Sequence, residues 1–222
     1  MTVTEDRPAA LEIGTKRRRK EDQRLITGRT KWTDNIQLTG MLHIAMVRSP
    51  FAHAKITHID TAEAKAAPNV VAVLTGEDVK DEQGSLPNAW AITPDQVTPN
   101  HPPIAVERAT FAGEIVAVVV ARSAAAARDA AELVDVDYDE LPAALDLKEA
   151  AAADAENGGA LAHPDLGTNK SAFWKFDSAE AGTGGNVDEA IAKARGDGIV
   201  IEREYRQQRL IPAFMEPRST TS

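Results

Sequence analysis

Glu114, Ile115, Val116, Ala117, Val118, Val119 and Val120 form an unbroken run that restricts the fold of this chain more than any other stretch. After the opening acid there is no polar position, so the run cannot be the half-wet face of a surface helix. β-branched residues fit a pleated strand, and an apolar run of this length fits a central strand buried on both faces. Such a strand needs a neighbour on each side and a layer over it. The flanking segments supply candidates. Leu42, Ile44 and Met46 alternate with His43, Ala45 and Val47, the period of a strand, and Arg48, Ser49 and Pro50 end it. Residues 54–59 read as a second strand. Asp60, Thr61, Ala62 and Glu63 make a capping-box pattern, in which Asp60 accepts from backbone N–H groups and Glu63 reaches back. The helix they open should run to Ala67, where Pro68 and Asn69 break it. Residues 70–74 then read as a buried strand with a turn at Gly76, and this β–α–β order describes a compact αβ unit. Ser123 is placed to cap an alanine-rich helix over 124–133. Val134, Val136 and Tyr138 alternate with Asp135, Asp137 and Asp139, a strand with one wet face.

Composition limits what can fill the space between these elements. Aromatic residues make up 5% of the 222, so the core must rest on Val, Ile, Leu and Ala. The length suits one sizeable domain with appendages. A net charge of -9 repels phosphate backbones and argues against nucleic acid. With no cysteine there is no disulfide, no thiolate nucleophile and no cysteine-held cluster on this chain. No run reaches the ~18 apolar residues of a membrane span. Lys16, Arg17, Arg18, Arg19 and Lys20 are followed by Glu21 and Asp22 rather than an apolar stretch, so they read as a solvated arm and not an export signal. The expected compartment is the cytoplasm.

Residues 1–20 are expected to be a mobile basic arm and 21–148 an α/β (α+β) domain. Residues 149–185 read as a linker and 186–222 as the start of a further domain. Residues 81–103, with Pro87, Pro94, Pro99, Pro102 and Pro103, form a long excursion from the first domain. The linker is rich in Ala and Gly, with one candidate anchor at Phe173, Trp174, Lys175 and Phe176. Asn186 with Glu189 should cap a helix to Arg195, and 199–205 reads as a strand.

Each candidate for chemistry has a plainer reading beside it. Asp135, Asp137 and Asp139 space their oxygens like the start of a calcium loop, but Glu140 stands where the loop needs glycine and Asp146 where it needs glutamate. A solvated strand face is the better reading. Gly182, Thr183, Gly184 and Gly185 precede a helix and could cradle a phosphate, yet the P-loop lysine is absent and a flexible linker explains them. His53 and His58 lack zincin spacing, and His43 reads as a packed or edge histidine. Ser49, His53 and Asp60 make a triad only on paper, since no nucleophile elbow surrounds Ser49. Glu216, between Met215 and Pro217, reads as a structural contact. No catalytic, cofactor-binding or metal residue is assigned.

The closing stretch Gln207, Gln208, Arg209, Leu210, Ile211, Pro212, Ala213, Phe214, Met215, Glu216, Pro217, Arg218 is extended by its prolines and has no partner strand after it. It resembles the segment that opens the cofactor domain in large subunits of the xanthine dehydrogenase and aerobic carbon monoxide dehydrogenase family. Six further segments match the same family in order and spacing. They are residues 24–29, 34–36, 47–54, 70–76, 111–121 and 136–142, among them Arg48, Ser49, Pro50, Phe51, Ala52 and His53, and Phe111, Ala112, Gly113 and Glu114. Within the family the closing segment looks closest to carbon monoxide dehydrogenase.

The resemblance implies an aldehyde oxidase/xanthine dehydrogenase a/b hammerhead domain over 21–148, then a linker and the first elements of a molybdopterin-binding domain. It implies an oxidoreductase whose large subunit holds molybdenum on molybdopterin cytosine dinucleotide. Medium (FAD) and small (iron–sulfur) partner subunits carry the electrons away. The family's catalytic positions fall beyond residue 222, so the chain is expected to be an N-terminal scaffold fragment, with no cofactor of its own and no activity alone. A frameshift, a premature stop or deliberate truncation would each produce it. Carbon monoxide, purine and aldehyde substrates stay open. The alternative is a free-standing hammerhead domain that docks subunits without catalysis. Leu210, Ile211, Phe214 and Met215 are expected to be poorly packed in isolation.

Overall fold

The structure is a computed structural model that describes residues 19–87, 90–177, 180, 182, 185–208, 210, 213–215 and 218–222. The chain divides into two compact units, Met1–Thr39 with Gln207–Ser222, and Gly40–Arg206.

In the first unit a short helix, α1 (Asp22–Ile26), starts beside Arg19, whose guanidinium meets the Asp22 carboxylate at 3.0 Å. Gly28, in the left-handed region at φ 67°, lies just beyond it. A 3-10 turn follows at Thr33–Asn35. Leu210, Phe214 and Met215 all expose their side chains. The basic run up to Arg18, and Glu216, lie outside the described residues.

The second unit holds the sheets. Its elements are β1 (His43–Arg48), β2 (Ala54–Asp60), α2 (Ala62–Ala66), β3 (Val70–Thr75), α3 (Gly76–Val79), β4 (Arg108–Ala109), β5 (Ile115–Ala121), α4 (Ala124–Ala131), β6 (Asp135–Glu140), α5 (Leu147–Ala152) and α6 (Val187–Asp197). They form two three-stranded sheets, ordered β1-β5-β3 and β4-β2-β6, with every pairing antiparallel. The fold is α+β. As the apolar run predicts, β5 is the central strand of its sheet, and Val116, Ala117, Val119 and Ala121 are buried. The β–α–β reading is corrected in one respect: β2 and β3 belong to different sheets, so α2 crosses between sheets instead of closing a single unit.

The core joins both sheets to the helices. Ala64, Val73, Ala117, Val119, Ala130 and Val134 form its centre, with Val47, Ile59, Val70 and Val136 packed around it. Small residues let α4 lie close on the sheet, with Ala127 and Ala130 fully buried. Ser123 caps α4 as expected, its hydroxyl accepting from the Ala126 N–H at 3.2 Å. Asn186 caps α6 through the N–H groups of Asp188 and Glu189. At α2 the expected box is half made: the Asp60 carboxylate accepts from the Ala62 N–H at 2.8 Å, but Thr61 is the cap residue and Glu63 does not reach back. Residues 199–205 are not a strand, because no edge pairs with them, and Ile199, Ile201 and Tyr205 stand exposed.

A full capping box sits instead at α3. The Thr75 N–H donates to the Asp78 carboxylate at 2.8 Å, and the Thr75 hydroxyl accepts from the Asp78 N–H at 3.4 Å. The Thr75 N–H first, and then the Thr75 hydroxyl donating to the same carboxylate at 2.8 Å, hold the Asp78 carboxyl below its ordinary value of 3.8. A lowered folded value means that the contribution is complete above 3.8 and is lost as pH falls through the lower folded value. Thr75→Ala is expected to reduce unfolding free energy by about 1 kcal/mol in urea titration at neutral pH. Part of that difference should disappear in acid.

Two side chains organise the loops. Gln83 pairs with Ile104 in both directions, its Nε2 donating to the carbonyl at 3.0 Å and its Oε1 accepting from the N–H at 3.1 Å. This ties the excursion at 81–103 back to the sheet. Asn169 donates to the carbonyls of Ala150 and Ala160 and accepts from the Ala162 N–H, all within 2.9 Å. Around it Asp154 bridges to Gly158 and Thr168, so residues 150–169 are folded on themselves. Among the described residues no helix is long and apolar enough to cross a membrane.

Candidate functional site

The residues singled out in the sequence do not assemble into a reaction centre. Ser49 is buried and uses its hydroxyl on the Phe51 backbone, accepting at 3.1 Å and donating at 3.2 Å. His53 and Asp60 stand at opposite ends of β2, roughly 20 Å apart at the rise of a strand. The triad is therefore never built. Asp135, Asp137 and Asp139 project from the exposed side of β6, opposite Asp60, His58 and Lys55 respectively. A solvated strand face, not a loop around an ion, is what they make. Gly182 and Gly185 take positive φ, while Thr183 and Gly184 lie outside the described residues. His43 opens β1 opposite Ala121 at the end of the central strand.

A polar cluster that sequence reading missed lies at the start of β5. Glu114 is only 4% exposed. Its Oε2 accepts from both the N–H and the hydroxyl of Thr110, and its Oε1 lies 3.7 Å from His101 Nε2. The His101 ring packs edge-on against Phe111. Beside them Arg108, on β4, holds the Asp165 carboxylate through Nη2 at 3.0 Å. His163 completes the group. Burial, above all, pushes its imidazole below the ordinary 6.5, with the Asp165 charge opposing the shift. A histidine lowered by folding contributes stability above 6.5 that fades as pH falls through its lower folded value. A cavity of about 480 Å³ is bounded by Arg108, Thr110, Glu114, His163 and Asp165, together with Asn100 and Glu107. Glu114 was the one legible signal, an acid opening an otherwise apolar strand. The rest of the cluster reaches as far along the chain as residue 165.

The cluster has acids and imidazoles but no nucleophile set against a base, and it makes no group of metal ligands among the described residues. It is also a poor match for a pterin dinucleotide. Glu107, Glu114 and Asp165 face the cavity against the single guanidinium of Arg108, and that balance repels phosphates.

Exposed apolar groups form a second kind of surface. Phe173, Trp174 and Phe176 are more than half exposed, with the Trp174 and Phe176 rings 6.1 Å apart. On the outer side of β1, Ile44 is 63% exposed and Met46 49%. Apolar surface gathered in this way marks contact with another polypeptide more often than catalysis.

The second unit is thus an α+β domain of two antiparallel three-stranded sheets, with exposed apolar side chains on the outer side of β1. The family model for "Aldehyde oxidase and xanthine dehydrogenase, a/b hammerhead domain" matches residues 27–142, and the chain belongs to that family. The nicotine 6-hydroxylase large subunit of Paenarthrobacter nicotinovorans is 34% identical over 206 residues, 93% of this chain and 23% of that protein. The carbon monoxide dehydrogenase large chain of Afipia carboxidovorans is 41% identical over 143 residues, 64% of this chain and 17% of its own length. The crystal structure of quinoline 2-oxidoreductase from Pseudomonas putida 86 superposes with a TM-score of 0.60 at 43% identity, covering 72% of this chain and 20% of that one. The chain thus spans less than a quarter of the length of these relatives.

Proposed function

We propose that this chain serves as the scaffold part of a molybdenum hydroxylase large subunit, an oxidoreductase related to carbon monoxide dehydrogenase. On this reading the hammerhead domain covers 21–148, residues 149–185 link it onward and 186–222 begin the cofactor-bearing domain. The molybdopterin cytosine dinucleotide belongs to the rest of the large subunit, and FAD and iron–sulfur clusters to partner subunits. The assembly works in the cytoplasm. One observation carries the reading: beyond the family-matched residues 27–142, the chain leaves Phe173, Trp174, Phe176, Leu210, Phe214 and Met215 exposed. Large apolar side chains contribute about 1.5–3 kcal/mol each when fully buried, so these groups favour a covering polypeptide.

Hydrogen exchange on the 222-residue chain, compared with a whole large subunit that contains it, tests this. Amides of residues 171–176 and 207–215 should exchange freely in the chain alone and become protected in the whole subunit. Purified alone, the chain should carry no stoichiometric molybdopterin and oxidise no substrate. Stoichiometric cofactor, or full protection of residues 207–215 in the monomeric chain, would defeat the proposal.

A further inference from the structure

The cavity at the start of β5 has a chemistry that a scaffold does not need. Its charge balance is negative, because Glu107, Glu114 and Asp165 line it against Arg108, and burial favours the neutral form of His163. Glu114 is nine-tenths buried, and Thr110 occupies only its Oε2. His101 Nε2 stands 3.7 Å from Oε1, too long for a hydrogen bond, so that oxygen keeps accepting capacity. Two further buried atoms are unanswered among the described residues, Arg108 Nε and His53 Nε2. His53 Nδ1 lies 2.8 Å from the Pro142 carbonyl, which can only accept, so Nδ1 bears a proton. His53 lies near enough to His163 to act on its imidazole electrostatically.

We propose that this cavity binds the cationic head of a basic side chain, the ammonium of a lysine or the guanidinium of an arginine, presented by a polypeptide. The carboxylate of Glu114 takes the cation through Oε1, and Asp165 and Glu107 add charge around it. A peptide is the fitting source because it brings both required partners: N–H donors for Glu114 and a backbone carbonyl for the Arg108 guanidinium. A volume of about 480 Å³ is within the range of small-ligand sites. Relatives in which this chain matches only 23% or 17% of the length have ample polypeptide to supply such a side chain. The inference goes beyond the scaffold reading and can be tested without any other subunit.

The test is an NMR titration of the 222-residue chain, following the His163 and His53 ring resonances. The probes are Nα-acetyl-lysine methylamide, its arginine counterpart, the Nε-acetylated lysine compound and propylammonium. The lysine or arginine compound should shift the rings saturably in the millimolar range, and Nε-acetylation should abolish the shift. Glu114→Gln keeps the shape and an oxygen for Thr110 but removes the charge, and should weaken binding roughly tenfold. Should that variant not fold, Asp165→Asn at the exposed rim should weaken binding about threefold. Equal binding of the acetylated compound, unchanged affinity in the folded variant, or no saturable shift with any probe overturns the proposal. Propylammonium binding as tightly as the lysine compound overturns the polypeptide source and assigns a free amine.

Discussion

Gly76→Ala is expected to lower the unfolding free energy of the second unit by about 3 kcal/mol, the upper end of overpacking effects, measured by urea titration. Gly76 is the first residue of α3 and is buried. A β-carbon built there would lie 2.1 Å from the Ala105 carbonyl oxygen and 2.6 Å from its carbon. Both are backbone atoms, so no rotamer change relieves the clash. Ala105 is itself buried, and its N–H is bound to the Ile115 carbonyl at 2.8 Å on the central strand. Moving it would pull on β5. Gly84→Ala is the matched control, because no atom lies within 4 Å of the added carbon and the backbone angle is ordinary. That variant should fall within about 0.5 kcal/mol of the parent. Equal stability of the two variants would show that residues 104–106 do not press against α3.

Val119→Ala should reduce stability by about 2–3 kcal/mol, from lost burial of its methyl groups and from the cavity left behind. Val119 is fully buried at the centre of β5, between Ala45 on β1 and Val73 on β3. The surrounding core is built mostly from Val and Ala, and such short side chains cannot swing in to fill a gap. Ile44→Ala removes more atoms yet should change stability by less than about 0.5 kcal/mol, because Ile44 faces outward and is largely exposed. If the whole large subunit covers that face, the same substitution should cost more there than in the chain alone. Differential scanning calorimetry of both variants in both forms would show it.

Legibility followed the range of the interactions. The run from Ile115 to Val120 announced a central strand, since its burial on both faces is written in consecutive residues. Ser123 and Asn186 were readable as caps, because a cap bonds within three residues of itself. The phase of β1 was not readable. Ile44 and Met46 are larger than Ala45, yet Val47 faces the core and the two larger side chains face out. A period of two shows that residues alternate but not which set is inside. The Thr75 and Asp78 box went unread behind the glycine at 76.

The candidate site was the least legible part. His101, Arg108, Glu114, His163 and Asp165 spread over 65 positions, and no local spacing links them. The register of β2 with β4 and the folded segment around Asn169 bring together what the chain keeps apart. Conversely, His53 and Asp60, near one another in sequence, are held apart by the length of β2.

By itself the sequence determined the segments that became β1, β2, β3, β5, β6, α2, α4 and α6, that the core would be made of small aliphatic residues, and, through segments in register, the family. These rest on local periodicity, capping and composition. The tertiary structure alone decided that β2 and β3 part into separate sheets, which face of β1 looks outward, where Gly76 meets Ala105, and that a buried glutamate gathers charged groups around a cavity. Those outcomes depend on hydrogen bonds and contacts between residues tens of positions apart, and no window along the chain contains both partners.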